Sequence, residues 1–209
     1  MLHLLEIQLQ PARGVIAGTA SATATGSAVF DWAQIELNVG TGDVSSPIGP
    51  TTTGSVTRNA ETATVDVSSL TLSPFSVYAN YVCGTTEDGT VVEVDDGTAD
   101  ERVLLSSRPA TGNTGLNVVD GGVSQVAITT DPDPVFGTAY KVAARLQTNL
   151  FALYTAAASG TDTTGTMPTI TTLRFGDIHD GTLKLNGWIR EFRLWTYALD
   201  NARLSSLVS

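Results

Sequence analysis

The chain has 209 residues, of which 42% are apolar and 15% are charged, and its formal charge is −10. This length suits one large domain, or one domain with a fragment of another, and the apolar fraction is sufficient for a core. The negative charge and the lack of any Lys/Arg cluster argue against nucleic acid and anionic membranes as partners, since both require a basic patch.

Apolar runs are short and are separated by Gly, Asp, Asn, Ser and Thr, a pattern that predicts many short strands. No run is long enough to span a bilayer, and the short apolar start runs into Glu6 without a basic segment, so neither membrane insertion nor a signal peptide is predicted. The single cysteine, Cys83, lies in an apolar run and is predicted to be a buried, inert thiol. The two histidines stand far apart, which disfavours a zinc site.

The first part of the chain contains two strand-like stretches, 2–10 and 28–37. Between them, residues 14–26 are small and polar, and fit either a shallow strand or a flexible linker. Residues 47–54 are rich in Pro, Gly and Thr, which marks a boundary. We therefore predict a small β-rich segment over 1–48, a linker over 49–60 and a β-sandwich over 61–209.

The larger region is predicted to be antiparallel because its strands are joined by turn residues. In residues 75–83 the apolar side chains alternate with Ser76, Tyr78 and Asn80, as expected for a strand with one buried face. Asp120-Gly121-Gly122 predicts a hairpin turn. Strands are predicted over 63–72, 75–83, 90–94, 102–107, 116–119, 123–129, 140–146, 150–154 and 169–175.

The C-terminal stretch opens with Asn186-Gly187, whose residues tolerate positive φ, and continues as a strand rich in aromatic and β-branched residues. Ile189 and Phe192 share a face of this strand only if a bulge lies between them; otherwise both faces are covered. Trp188 and Trp195 are separated by an odd number of residues, so regular alternation predicts that they face opposite ways.

A short helix is predicted after this strand. Asp200 can cap it by accepting a backbone hydrogen bond. Leu199 and Leu204 have the spacing of a hydrophobic staple, in which an apolar residue before the cap contacts one in the first turn.

The motif Asn186-Gly187-x-Ile189-x-x-Phe192-x-x-Trp195, followed by a helical turn, resembles the end of laminin-G-like, or concanavalin-like, domains. It is most similar to the form found at the C-termini of bacteriophage tail-fibre proteins. Two further stretches resemble this family: residues 32–61 are similar to the junction before the domain, and residues 140–154 to its paired central strands. The resemblance implies an all-β fold, a two-sheet antiparallel jelly roll with a short C-terminal helix.

The resemblance also implies a function, namely a non-enzymatic virion protein, a tail-fibre-like or head-fibre-like subunit. Such a protein displays a lectin-like domain for attachment to host-surface glycans, such as bacterial polysaccharide, or decorates the particle. Residues 1–48 would contact other virion proteins. The subunits would form homo-oligomers, and trimers are common among phage fibres. Particles would assemble in the host cytoplasm and leave by lysis. A glycan-degrading enzyme and a purely structural subunit are the alternatives.

Glycosidases on this fold carry a Glu-x-Asp-x-x-Glu pattern, which supplies a nucleophile and an acid. Residues 93–98 read Glu-Val-Asp-Asp-Gly-Thr, so Thr98 stands where the second Glu belongs. We therefore predict no catalytic residues and interpret Asp95-Asp96-Gly97 as a turn.

Loop carboxylates are candidate calcium ligands, because calcium prefers oxygen donors and laminin-G-like domains often hold calcium at the rim of the sandwich. No other cofactor is predicted, and each cluster can also be explained by the preference of Asp for turns. The candidates are Asp177 and Asp180, Asp95 and Asp96, with Asp100 and the pair Asp131 and Asp133 as rivals.

Sugar rings stack on exposed aromatic side chains beside polar groups. The candidate glycan-binding residues are Trp188, Trp195, Tyr197, Tyr154 and His179. For the two tryptophans, the favoured interpretation is burial in the core or packing against the C-terminal helix or a neighbouring subunit. His179 lies in a polar loop and is predicted to be exposed to solvent.

Overall fold

A computed structural model of the protein describes residues 6–10, 16–18, 32–36, 63–84, 86–108, 111–130 and 134–209. The chain divides into two compact units, Met1–Ala60 and Glu61–Ser209. In the described part of the chain, no helix combines the length and the apolarity needed to cross a membrane.

The first unit contains an antiparallel three-stranded sheet. Its strands are β1 (Glu6–Gln10), β2 (Ile16–Gly18) and β3 (Trp32–Glu36), in the order β2-β1-β3. All three lie within stretches for which the sequence allows a strand.

The second unit consists of two antiparallel sheets and one short helix. The five-stranded sheet has the order β12-β11-β10-β5-β14, and the six-stranded sheet has the order β4-β13-β6-β7-β8-β9. The elements are β4 (Ala63–Asp66), β5 (Phe75–Val82), β6 (Gly89–Asp95), β7 (Arg102–Arg108), β8 (Asn113–Asp120), β9 (Val123–Thr130), β10 (Ala139–Leu146), β11 (Phe151–Thr155), β12 (Ser159–Asp162), β13 (Thr172–Phe175), β14 (Trp188–Trp195) and α1 (Asn201–Val208).

The core lies between the two sheets and is built by alternation. In β5 the side chains of Phe75, Val77, Ala79 and Tyr81 face inward, and they meet inward-facing residues of the six-stranded sheet such as Leu116. Cys83 is buried in the same core, where its Sγ lies 2.7 Å from Ser107 Oγ, and burial raises the pKa of the thiol. The predicted burial of this thiol is thus confirmed.

A β-bulge in β14 resolves the irregular pattern of its apolar residues. The pairing of β14 with β5 shifts register between Ile189 and Glu191, so Ile189 and Phe192 both pack against the core. The same shift places Trp188 and Trp195 on the outer face. The prediction that the two tryptophans face opposite ways was therefore wrong, because one inserted residue reverses the alternation along the rest of the strand.

The Asn-Gly pair before β14 is required by both backbone conformation and space. Asn186 has a φ of 47°, as the turn motif predicted. A Cβ on Gly187 would lie 2.0 Å from the backbone oxygen of Val82. Glycine therefore allows the chain to enter β14 in direct backbone contact with β5.

Helix α1 covers the outer face of the five-stranded sheet. Asp200 caps it, since its Oδ1 accepts a 2.7 Å hydrogen bond from the backbone N–H of Arg203. Leu199 and Leu204 lie in one buried cluster, with Tyr78 of β5 beneath them. The predicted cap and hydrophobic staple are both confirmed.

Candidate functional site

The outer face of the six-stranded sheet carries most of the polar residues that could act together. Its strand pairing aligns one residue from each strand in a row that crosses the whole sheet. In order, this row is Thr64, Arg174, Glu93, Leu104, Asn117 and Ala127. The β13–β6 side of the row is covered and charged, whereas the β7–β9 side is open.

A loop formed by residues 176–185 packs over the covered side. The backbone N–H of Leu185 donates to the oxygen of Gly176 at 2.9 Å, which closes the loop at its base. The backbone N–H of His179 donates to Glu93 Oε2 at 2.5 Å, and its Nδ1 lies 3.5 Å from Glu93 Oε1. Glu93 is fully buried as a result, and this burial raises the pKa of its carboxyl.

Two further ion pairs surround Glu93. The guanidinium of Arg174 donates to both oxygens of Asp95, at 2.6 and 3.2 Å, and Asp95 is fully buried. Lys184 Nζ lies 3.2 Å from the buried carboxylate of Asp177. Because basic groups accompany these carboxylates, the covered side is a structural network that fastens the loop to the sheet.

The open side is a groove with a volume of about 390 Å³. Leu183, in the last part of the 176–185 loop, lines it together with Asp88 and Arg108. Side chains of β7, β8 and β9 that point away from the core form the floor, namely Leu104, Ser106, Asn117, Ala127 and Thr129, with Gly115 among them.

The groove combines apolar surface with hydrogen-bonding groups. Asn117 Nδ2 donates to the oxygen of Val126 at 3.2 Å, and Arg108 Nε lies 3.5 Å from Asp88 Oδ2. Asp88 Oδ1 is buried and accepts no hydrogen bond from the part of the chain that the structure describes. Mixed surfaces of this kind, with a few placed polar groups, are typical of small-molecule sites.

The candidate calcium ligands are engaged in local contacts. Asp96 and Asp180 are exposed, and each accepts a 2.9 Å hydrogen bond from the backbone N–H two residues ahead, in Thr98 and Thr182. The interpretation of residues 95–97 as a turn is confirmed, since Gly97 has a φ of 98° and donates to Asp95.

Among the residues described by the structure, no three His, Cys, Asp or Glu side chains form a group that could hold a metal ion. Asp177 and Asp95, in contrast to the exposed turn carboxylates, are buried. Each of them lies beside a basic partner. Asp131 and Asp133 lie outside the described residues.

The candidate aromatic side chains lie on the side of the other sheet, and two of them are partly buried against the helix. Trp195 and Tyr154 pack against the cluster beneath α1, as the favoured interpretation of Trp195 predicted. Trp188 is 53% exposed and Tyr197 is 55% exposed, so Trp188 is not buried in the core of the chain, and its packing against a neighbouring subunit stays a prediction. Trp188 belongs to β14, which is the edge strand of its sheet among the described residues.

His179 is not the solvated residue that its polar loop predicted. Its side chain is only 16% exposed, because the 176–185 loop folds inward onto Glu93. The groove residues Asp88, Arg108 and Leu183 were not predicted from the sequence either. The alternation of polar side chains along β7 could have indicated an open outer face, but not which loops border it.

Neither a protein-family model nor a curated protein matches the chain. Solved structures do. The CBM40 of the Ruminococcus gnavus IT-sialidase, bound to α2,3-sialyllactose, is similar with a TM-score of 0.57 and 15% identity, over 72% of this chain and 95% of that chain. The NanB sialidase of Streptococcus pneumoniae is similar with a TM-score of 0.55 and 15% identity, over 70% of this chain and 27% of that chain.

A Trypanosoma rangeli sialidase is also similar, with a TM-score of 0.51 and 14% identity, over 65% of this chain and 22% of that chain. At such identities the likeness establishes the fold. The second unit is therefore a concanavalin-like jelly-roll sandwich, the fold that the sequence resemblance implied. This chain spans about a quarter of the two sialidase chains and nearly all of the CBM40.

Proposed function

We propose that the second unit binds glycans, and that it does so in the groove over β7, β8 and β9. The groove itself carries the proposal, because it presents apolar surface from Leu104 and Leu183 beside the polar side chains of Asp88 and Asn117. Sugars present the matching combination of apolar ring faces and hydroxyl groups. The likeness to a CBM40 solved with a bound oligosaccharide supports the proposal at the level of the fold.

Binding without catalysis fits the covered side of the sheet. The buried carboxylates of Glu93 and Asp95 are tied to His179 and Arg174, and the third carboxylate of the glycosidase pattern is replaced by Thr98. A glycosidase needs an acid and a nucleophile that both reach the substrate. Incubating bound glycans with the protein and analysing them by mass spectrometry tests this point, and we expect the glycans to be recovered intact.

The sequence resemblance to phage tail-fibre proteins leads to a finer proposal. The chain would be an oligomeric virion fibre subunit, with residues 1–48 bound to another particle protein and the sandwich displayed outward toward host polysaccharide. Cross-linking mass spectrometry of purified particles tests this role. Cross-links from residues 1–48 to a capsid or tail protein would support it, whereas absence of the protein from particles would refute it and leave glycan binding standing.

A glycan array probed with the full chain is the direct test of glycan binding. Replacing Ala127 by Trp should abolish the signal, because Ala127 is an exposed residue on the groove floor and an indole there would fill the groove. Ala202→Trp is the matched control, since Ala202 is an exposed residue of α1 on the opposite sheet. Failure of the array to show any binding would refute the proposed function.

A further inference from the structure

We infer that the groove selects neutral, hydroxyl-rich glycans over acidic ones. This inference rests on the proposed glycan-binding function and adds the chemical class of the ligand. Three observations carry it: the charge of the groove, the acceptor atom of Asp88 that has no partner, and the charge of the whole chain.

The groove has no net charge. Asp88 and Arg108 are the charged residues that line it, and they face each other with Arg108 Nε 3.5 Å from Asp88 Oδ2. An anionic sugar that approaches Arg108 therefore also meets the carboxylate of Asp88. The attraction of one is offset by the repulsion of the other, whereas a hydroxyl group can bond to either residue.

The group of the groove wall that lacks a partner is an acceptor. Asp88 lines the groove with its side chain 29% exposed, and its Oδ1 accepts no hydrogen bond from the described residues. Buried acceptors are costly to leave unpaired, so a ligand that brings donors gains affinity here. Sugar hydroxyls are donors, whereas a sugar carboxylate at neutral pH only accepts.

The charge of the whole chain acts in the same direction. The sequence has 21 acidic and 11 basic residues, which disfavours the approach of polyanionic chains over distances comparable to the Debye length. The other arginines of this sheet also have carboxylate partners, since Arg102 lies 3.8 Å from Glu93 and Arg174 binds Asp95. No uncompensated cation in the described part of the sheet therefore serves a sugar carboxylate.

The test uses the full chain and an array of glycans in matched pairs, each pair a neutral core and its sialylated form, including lactose and α2,3-sialyllactose. We expect the neutral member of a pair to bind more tightly, with Kd values measured by titration calorimetry. Asp88→Asn should weaken neutral binding about tenfold, because it removes a charge-assisted acceptor. It should also narrow the difference in Kd between the neutral and the sialylated member of each pair, since Arg108 loses its counter-ion. Asp100→Asn, an exposed change of the same kind, is the control.

The outcomes separate the inference from the proposed function. Both the inference and the proposed function are supported if the protein prefers the neutral members, loses this binding in Ala127→Trp and keeps it in Ala202→Trp. Tighter binding of sialylated members, still lost in Ala127→Trp, overturns the inference and leaves the function intact. Binding that survives Ala127→Trp overturns the groove as the site. Because Ala127 is exposed, its substitution tests the groove even where Asp88→Asn fails to fold.

Discussion

The backbone N–H of His179 donates a 2.5 Å hydrogen bond to the carboxylate of Glu93, and this contact fastens a surface loop to a fully buried acid. The loop also supplies Leu183 to the groove. The state of one buried carboxyl is thus connected, through a single loop, to the wall of the candidate binding site.

Glu93→Gln should change how stability depends on pH. Burial raises the pKa of Glu93 above its usual range, against the opposing hydrogen bond from His179. The folded chain therefore keeps a proton that the unfolded chain releases above about pH 4.3. The contribution of this proton to the free energy of unfolding is lost as pH rises through the raised pKa. The charged groups around Glu93, which are Asp95, His179, Arg102 and Arg174, stay in place in the variant.

Urea unfolding of both proteins from about pH 4 to about pH 8 measures the effect. The free energy of unfolding of the native protein, relative to Glu93→Gln, should fall as pH rises. A difference that is constant, or that grows in favour of the native protein, would contradict the raised pKa.

Arg174→Met should destabilise the second unit strongly. It leaves the buried carboxylate of Asp95 without its bidentate partner, and breaking a buried pair in this way costs about 3–5 kcal/mol. Glu191→Ala is the control, because Glu191 and Arg193 form an exposed pair for which about 0–1 kcal/mol is expected. Adding Asp95→Asn to Arg174→Met should recover part of the lost free energy of unfolding, measured with urea. Equal effects of Arg174→Met and Glu191→Ala would argue against a buried pair.

The regular parts of the fold were predictable because they depend on local alternation. Residues 75–82 form the predicted strand with its apolar face in the core, but Ser76 and Tyr78 are buried as well, because helix α1 and the segment before it cover the outer face. The pattern of β14 left a bulge and two covered faces as alternatives, and the pairing with β5 is what decides for the bulge. Regular alternation therefore gave the wrong facing for Trp188 and Trp195. The short strand β12 was missed because its Ser, Gly, Thr and Asp residues read as a turn.

The groove was beyond sequence reasoning for a related reason. Asp88, Arg108 and Leu183 lie far apart along the chain and meet only when the sheet is assembled. The burial of Glu93 likewise depends on the 176–185 loop, which is distant in sequence and reads as an exposed polar turn. Local patterns therefore predict strands and caps, whereas the site arises from long-range packing.

Gly187→Ala should destabilise the entry to β14. Its Cβ would lie 2.0 Å from the backbone oxygen of Val82, and a backbone atom cannot move aside as a side chain can. Overpacking of this kind costs about 1–3 kcal/mol or more. Asn186→Gly is the comparison, because Asn186 already has a φ of 47° and glycine adopts it without strain. We expect thermal unfolding to show a clearly lower Tm only for Gly187→Ala. Equal Tm values of the two variants would refute the close approach of Gly187 to Val82.

Asp200→Ala should weaken helix α1 and the aromatic cluster beneath it. The change removes the acceptor for the N–H of Arg203, and loss of a helix cap costs about 0.5–2 kcal/mol. Asp200→Asn keeps a side-chain oxygen at the same place and should be nearly neutral. Urea unfolding followed by tryptophan fluorescence measures both, since Trp195 packs in this cluster. A similar loss for both variants would mean that charge, rather than capping, stabilises the helix.

Trp188→Ala should leave glycan binding unchanged, within about twofold, if the groove is the site. Trp188 lies on the outer face of the five-stranded sheet, and the groove lies on the outer face of the six-stranded sheet. Packed sheets are about 10 Å apart, so a sugar in the groove cannot touch this indole. Tyr197→Ala tests the other exposed aromatic side chain in the same way. Calorimetry with the glycan that binds most tightly decides the matter. Loss of binding in Trp188→Ala, with retention in Ala127→Trp, would move the site to the aromatic surface that the sequence first indicated.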